Sequence, residues 1–367
     1  MAGLLLKNVN KTYAGGHQMI RDFNLEIRGK EFLVLAGDED CKKTMLLRMI
    51  AGLDDFTSGT LWIDGEDRTF AEPRDRNLAM LFKNAVLYPE MNVADNLAFA
   101  LKLGKLPQKE IEQRVGEIAG LLSLEAALEK KTEELTEAER FCVLLGRALI
   151  RKPRILLIDS MLAEFAEEAQ KTCREILLRV YETLDMTVLY AADRRECISG
   201  FGSRLVLIKD GTVCQDAAPA KLYERPVCLY AAEYVSRPPL NQFSATVFGE
   251  ENQVGLSLPG GRLFLLDEHG KKLAKQGCFG KQVLLAVRPE ALHLTEEKRG
   301  DGVFSAALEG MELYKNRPLL HFTAGETAGT VFADGMPACG IGGEICLKID
   351  VKKVLIFDAE TGQSLTC

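Results

Sequence analysis

VLAGDEDCKKTMLLRMIAG, Val34 to Gly52, decides the fold. An apolar run leads into a short polar loop. Leu46, Leu47 and Ile50 then share one helical face until Gly52 stops the pattern. Strand, tight loop and helix, with Lys43 and Thr44 at the turn into the helix, is the setting of a phosphate-binding loop. Such a loop needs glycines so that its backbone N–H groups can close around the anion. Gly37 is present, but Asp38, Glu39 and Asp40 put carboxylates where the anion would lie.

Working outward, FNLEI (Phe23 to Ile27) alternates as a half-buried strand does, and EFLVLA (Glu31 to Ala36) reads as a fully buried one. SGTLWIDGED predicts a small antiparallel layer, and LAMLF (Leu78 to Phe82) another buried strand. Residues from 93 to 150 read mainly as helices, and RILLID (Arg154 to Asp159) is again a buried strand. Cys173, Ile176, Leu177, Val180 and Leu184 recur at helical spacing. TVLY, a short helix and RLVLIKDGTV (Arg204 to Val213) follow. Alternating strands and helices predict an α/β domain with a mostly parallel sheet over residues 1–235, with a helical subdomain over 84–150. Pro238 and Pro239 mark a junction. Beyond it, short strands and Gly-rich turns predict a small OB-like β-barrel domain over 236–367.

The 367 residues suffice for two domains, and the 47% hydrophobic content excludes a disordered chain. No apolar run approaches the roughly 18 residues that span a bilayer, and the start MAGLLLKNVNKTY reads as a strand rather than a signal peptide. A cytoplasmic location is the expectation. The net charge of −7, without a basic block, argues against nucleic acid as the main partner. The ten cysteines form no C-x-x-C pair, and none of the four histidines stands at zinc-type spacing to them, so the cysteines are expected to be small buried residues.

The ordered segments resemble the ATP-binding-cassette ATPases of sugar-type importers, over nearly the whole chain. GRALIRKPRILLID (Gly146 to Asp159) resembles the run from signature helix to Walker B strand, and Leu135 lies 24 residues before Asp159, as the family spacing has it. VLYPEMNVADNLAFAL (Val86 to Leu101) resembles the stretch after the Q-loop, and its residues 86–99 lie where the family docks a permease's coupling helix. VRPEAL (Val287 to Leu292) and FDAETGQSL (Phe357 to Leu365) resemble the C-terminal OB-type (TOBE) domain. The resemblance implies a P-loop NTPase fold and ATP and Mg2+ as cofactors. It implies a homodimer, or a heterodimer with another cassette ATPase, beneath membrane permease subunits on the inner face of the cell membrane. It also implies site residues: Tyr13 against adenine, Gly37, Cys41, Lys43 and Thr44 in the P-loop, and Thr44 and Asp159 at the metal.

The same resemblance marks departures. Asp40 and Lys42 replace P-loop glycines, Lys83 the Q-loop glutamine and Ser160 the catalytic glutamate; LTEAE (Leu135 to Glu139) stands for L-S-G-G-Q. The D-loop aspartate falls on Ala166 and the switch histidine on Asp193. Each carboxylate opposing a phosphate charge from about 7 Å costs roughly 1–2 kcal/mol at an effective dielectric of about 20–40. The acids 38–40 are expected to neutralise the loop and its helix start themselves, with Lys83 pairing with Asp159 or with the acidic loop. Thr136 and Glu139 fit a capping box. Both halves of a composite ATP site are altered, so no catalytic residue is assigned and a pseudo-ATPase acting as scaffold or regulator is expected. The alternatives are a slow working ATPase subunit and a ligand sensor acting through the C-terminal barrel.

Overall fold

A computed structural model describes residues 3–193, 202–250, 253–258, 261–335 and 339–366. The chain divides into two compact units, Met1–Pro219 and Ala220–Cys367.

In the first unit, β1 (Leu4–Thr12), β2 (Gln18–Ile27), β3 (Phe32–Ala36), α1 (Lys43–Ala51), β4 (Ser58–Ile63), β5 (Glu66–Asp67) and β6 (Leu78–Leu81) come first. Then come α2 (Val93–Leu103), α3 (Gln108–Leu122), α4 (Glu137–Leu149), β7 (Ile155–Asp159), α5 (Glu167–Leu184), β8 (Thr187–Ala191), β9 (Arg204–Lys209) and β10 (Thr212–Ala217). The central sheet has the order β10-β9-β3-β8-β7-β6 and is parallel except for β10. A second, antiparallel sheet runs β2-β1-β4-β5. The short helix expected after TVLY falls on residues 194–201, outside the described ones.

Why β3 is apolar throughout follows from its place. Successive side chains leave opposite faces of a strand. Phe32 and Val34 join the core beneath α2–α5, whereas Leu33 and Leu35 join the core shared with α1 and the antiparallel sheet. Both faces are covered, so no position is polar. Gly146 lets α4 pack closely, since a Cβ there would lie 2.6 Å from Leu97.

Helix α1 ends at Gly52, whose φ of +78° suits a left-handed cap. Arg76 is buried against this end. Its Nη1 donates to Met49 O and Ile50 O, both at 2.8 Å, its Nε to Ala71 O at 2.9 Å and its Nη2 to Thr69 O at 3.1 Å. The carbonyls that a helix end leaves without partners thus meet a cation, the charge that a helix C-terminus favours. Burial lowers the pKa of Arg76.

The second unit contains α6 (Pro219–Glu224, its first residue in the first unit), α7 (Leu229–Val235), β11 (Asn241–Glu250), β12 (Gln253–Leu258), β13 (Gly261–Phe264), α8 (Asp267–Lys275) and β14 (Gln282–Val287). β15 (Leu292–Thr295), β16 (Val303–Tyr314), β17 (Arg317–Ala324), β18 (Thr327–Phe332), β19 (Glu344–Ile349) and β20 (Leu355–Asp358) complete it. Two antiparallel five-stranded sheets, β13-β12-β11-β14-β20 and β15-β19-β16-β17-β18, share one core that includes Phe243, Leu285, Phe304 and Phe322. Residues 220–235, which the sequence assigns before the proline junction, group with this unit. The reason is packing: Leu229 and Ala232 lie against Leu240, Ala286, Leu355 and Phe357, and Leu229 N donates to Gly362 O at 2.8 Å.

Candidate functional site

The loop after β3 turns at Gly37, with φ +145°. A Cβ there would lie 2.4 Å from Ile208 O and 2.6 Å from Cys41 Sγ, so glycine alone fits. Glu39–Cys41 make one 3-10 turn, and Lys42, at φ +72°, joins it to α1. A left-handed conformation costs a non-glycine residue about 1–2 kcal/mol, so Lys42 carries strain where the family pattern has glycine.

Lys43 turns inward and is 5% exposed. Its Nζ donates to Gly37 O at 2.6 Å, to Asp38 O at 2.9 Å and to Cys41 Sγ at 3.3 Å. Burial pushes the Cys41 thiol up, against the opposing pull of Lys43. Two of the three acids take a different place from the one expected. Glu39 and Asp40 are exposed, and neither the 3-10 turn nor α1 has a side-chain cap. Inside the loop, the Lys43 ammonium meets the carbonyls of Gly37 and Asp38. Exposed carboxylates keep their hydration, whereas inward-facing loop carbonyls need donors. Of the two partners expected for Lys83, the structure gives the acidic loop: its Nζ lies 3.7 Å from Glu39 Oε1. Glu39 is 84% exposed, so this pair contributes little.

Thr44 Oγ1 donates to Asp159 Oδ1 at 2.9 Å, joining the first turn of α1 to the end of β7. Asp159 is buried, which raises its pKa; the Thr44 hydrogen bond and the charges of Lys43, Lys83 and Arg48 oppose this. Ser160, next in line, is buried at φ +38°. Its N–H and its Oγ both donate to Ala191 O, at 2.8 and 3.0 Å. A hydroxyl so committed cannot take a proton from water as a carboxylate would. Asp193 follows β8 and is half-buried. Tyr13 lies on the loop after β1, 46% exposed, with Lys11 Nζ 5.2 Å from its ring centroid. The structure thus joins Gly37, Cys41 and Lys43 in one hydrogen-bonded cluster, pairs Thr44 with Asp159, and sets Tyr13 beside Lys11.

These groups fit Mg2+ and a triphosphate in part. Two oxygens suited to magnesium stand together in Thr44 and Asp159. Glu39 and Asp40 flank the loop and Ser160 follows Asp159, so no hydrolytic step is derived from this donor set.

At the signature position, Thr136 caps α4 as expected. Its Oγ1 accepts from Glu139 N at 3.2 Å, and Glu139 Oε2 accepts from Thr136 N at 2.9 Å. Lys130 Nζ lies 2.8 Å from Glu139 Oε1, and this bond leads in lowering the carboxyl's pKa, followed by the Thr136 backbone bond. Sequence gave no sign of a further contact. Glu137 Oε2 accepts from Ala166 N at 3.2 Å, so a signature acid caps the segment that begins α5.

A groove of about 900 Å³ opens beside β6, α2 and α4. Leu53, Phe82, Val86 and Leu103 line it and are exposed, Val86 by 77%. Arg147, which sequence did not single out, shapes its wall: Nη1 donates to Val86 O at 2.8 Å, and the guanidinium lies 4.3 Å from the Tyr88 ring centroid. Asn96 fixes the same turn through Tyr88 N at 2.9 Å and Tyr88 O at 3.1 Å.

The loop, the parallel sheet and the capping helices define a cassette-type P-loop fold. The model of the ABC transporter family matches residues 20–163. Along 370 residues the chain is 33% identical to the ABC transporter ATP-binding protein YurJ of Bacillus subtilis (strain 168), covering 100% of both chains. It is also 33% identical over 384 residues to the trehalose/maltose import ATP-binding protein MalK of Thermococcus litoralis, again with 100% of both covered. Among solved structures, cbiO1 of Clostridium perfringens, part of the ABC transporter complex cbiONQ, matches 60% of this chain and 90% of its own with a TM-score of 0.57. At 19% identity that likeness concerns the fold alone. This chain belongs to the family of ABC transporter ATP-binding proteins. Among its described residues, no helix is long and apolar enough to cross a membrane.

Proposed function

We propose that this chain is the ATP-binding-subunit homologue of a carbohydrate-type importer that has lost efficient hydrolysis and serves as a scaffold or regulator on a permease or a competent ATPase. The observation that carries this reading is Ser160, whose hydroxyl is spent on Ala191 O where the family pattern has its catalytic glutamate. Loss of a positioned base typically removes about 10²–10⁴-fold in rate. Lys43, bonded to the loop's own carbonyls, and the strained Lys42 support weak nucleotide binding. The relative MalK, named for trehalose/maltose import, supports the carbohydrate class. The apolar groove around Phe82, Val86 and Leu103 supports docking of a permease helix, and with it a peripheral position on the inner face of the membrane.

A second reading, a slow but working ATPase, is favoured by one observation, the Thr44–Asp159 hydrogen bond that keeps magnesium-suited oxygens together. Phosphate release and Mg-ATP calorimetry on the purified chain, alone and with its permease, decide between the two. The pseudo-ATPase reading expects no turnover above that of Lys43→Ala in either sample. Magnesium-dependent hydrolysis that Lys43→Ala abolishes would overturn it in favour of the slow enzyme. Val86→Asp is expected to release the permease without altering the stability of the chain.

A further inference from the structure

The second unit holds a cavity of about 480 Å³ bordered by α6, α8, the segment from Arg288 to Ala291 and the turn before β20. Its wall contains a buried arginine whose charge has no carboxylate within ion-pair distance among the described residues. Arg288 is 6% exposed, stacks on the Tyr223 ring at 3.7 Å from its centroid, and donates through Nη2 to Tyr223 O. Its Nε is buried and makes no hydrogen bond, and neither does the buried Nδ1 of His269 in the same wall. Arginines are seldom buried unless paired, and an unpaired buried charge is strongly unfavourable. Of the acids in the wall, Glu290 accepts the Tyr223 hydroxyl, Glu268 lies 3.8 Å from Lys272, and Glu224 is exposed. Lys352 and Lys353 stand at the rim; Lys353 lies 3.6 Å from Asp350, and Lys352 has no acid in ion-pair range among the described residues.

We propose that this cavity binds a small, multiply charged oxyanion, a phosphate ester or a polycarboxylate, with Arg288 as the inner anchor and Lys352 and Lys353 as the outer clamp. A planar guanidinium matches two oxygens of such a group at once, and the orphaned nitrogens supply the donors. The volume suits a small metabolite, and the Tyr223 ring offers it an apolar side. This site belongs to the second unit, whereas the nucleotide loop belongs to the first, and it does not rest on the pseudo-ATPase reading.

The test is calorimetry and thermal shift on the full chain, with inorganic phosphate, glucose 6-phosphate and citrate as probes and chloride at matched ionic strength as control. Saturable binding of at least one probe is expected, and which probe binds separates the ester from the carboxylate. Lys352→Ala with Lys353→Ala, both on the surface, is expected to weaken binding by about tenfold or more. Arg288→Gln is expected to abolish it, with the double lysine variant carrying the test if Arg288→Gln does not fold. Lys43→Ala is expected to leave it unchanged, since none of the cavity's lining residues belongs to the first unit. Heats no different from chloride for all three probes, binding unchanged in the double variant, or binding lost in Lys43→Ala would each overturn the proposal.

Discussion

Replacing Lys43 by methionine keeps the apolar stem and removes the ammonium, so it measures what that charge does in the nucleotide-free chain. Three acceptors, Gly37 O, Asp38 O and Cys41 Sγ, lose their donor. A hydrogen bond to a charged group contributes about 1.5–3 kcal/mol. Part of that returns when the loop carbonyls rehydrate and when the desolvation of a buried ammonium is relieved, leaving a net loss of about 2 kcal/mol. Each kcal/mol shifts the melting temperature by about 2–4 °C in a unit of this size, so the first unit should melt roughly 4–8 °C lower. A nucleotide supplied at a hundred times its dissociation constant would stabilise the wild type by about 2.7 kcal/mol, a comparable shift in the opposite direction. Thermal and urea melts of both proteins, with and without Mg-ATP, therefore separate a structural pin from a phosphate ligand. The expected result is a lowered melt for Lys43→Met and, in either protein, a response to Mg-ATP far smaller than that shift. Equal nucleotide-free stability, with an ATP-induced rise in the wild type that the variant loses, would refute the reasoning.

Thr136→Ala removes one arm of the capping box at α4 and is expected to lower stability by about 1 kcal/mol, measured by urea denaturation, although Thr136 sits where a working signature motif would serve phosphate. Asp159→Asn is expected to stabilise the nucleotide-free chain at neutral pH. Burial raises the folded pKa of Asp159, so the folded state holds its proton more tightly, and stability falls as pH rises from the ordinary carboxylate value through that raised value. The advantage of asparagine should accordingly disappear below about pH 4, where aspartate is protonated in both states; a gain independent of pH between neutrality and that limit would refute the assignment.

The first unit was legible because its elements carry opposite periodicities. The alternation in Phe23–Ile27, the apolar run of Phe32–Ala36 and the helical spacing from Cys173 to Leu184 each permit one main reading, and β2, β3 and α5 contain them. The capping box was legible because Thr136 and Glu139 act on backbone only three residues apart. The occupant of the phosphate loop was not. Which group fills it depends on where Gly37 and Asp38 point their carbonyls, a matter of backbone dihedrals that side-chain identities do not reveal. Three adjacent acids drew attention to charge, while the decisive contact came from the lysine that a phosphate loop would have in any case. Arg288 and His269 escaped notice for a similar reason: a residue's orphaned nitrogen shows itself only once burial is known.

Arg76 has a consequence for behaviour at rest. It moors the far end of α1 through Met49 O and Ile50 O, and it does so from inside the chain. A helix tethered only by a ligand at its front would slacken whenever that ligand left. This one is berthed at the stern from within the chain, so its bearing against the sheet does not hang on a ligand at the loop.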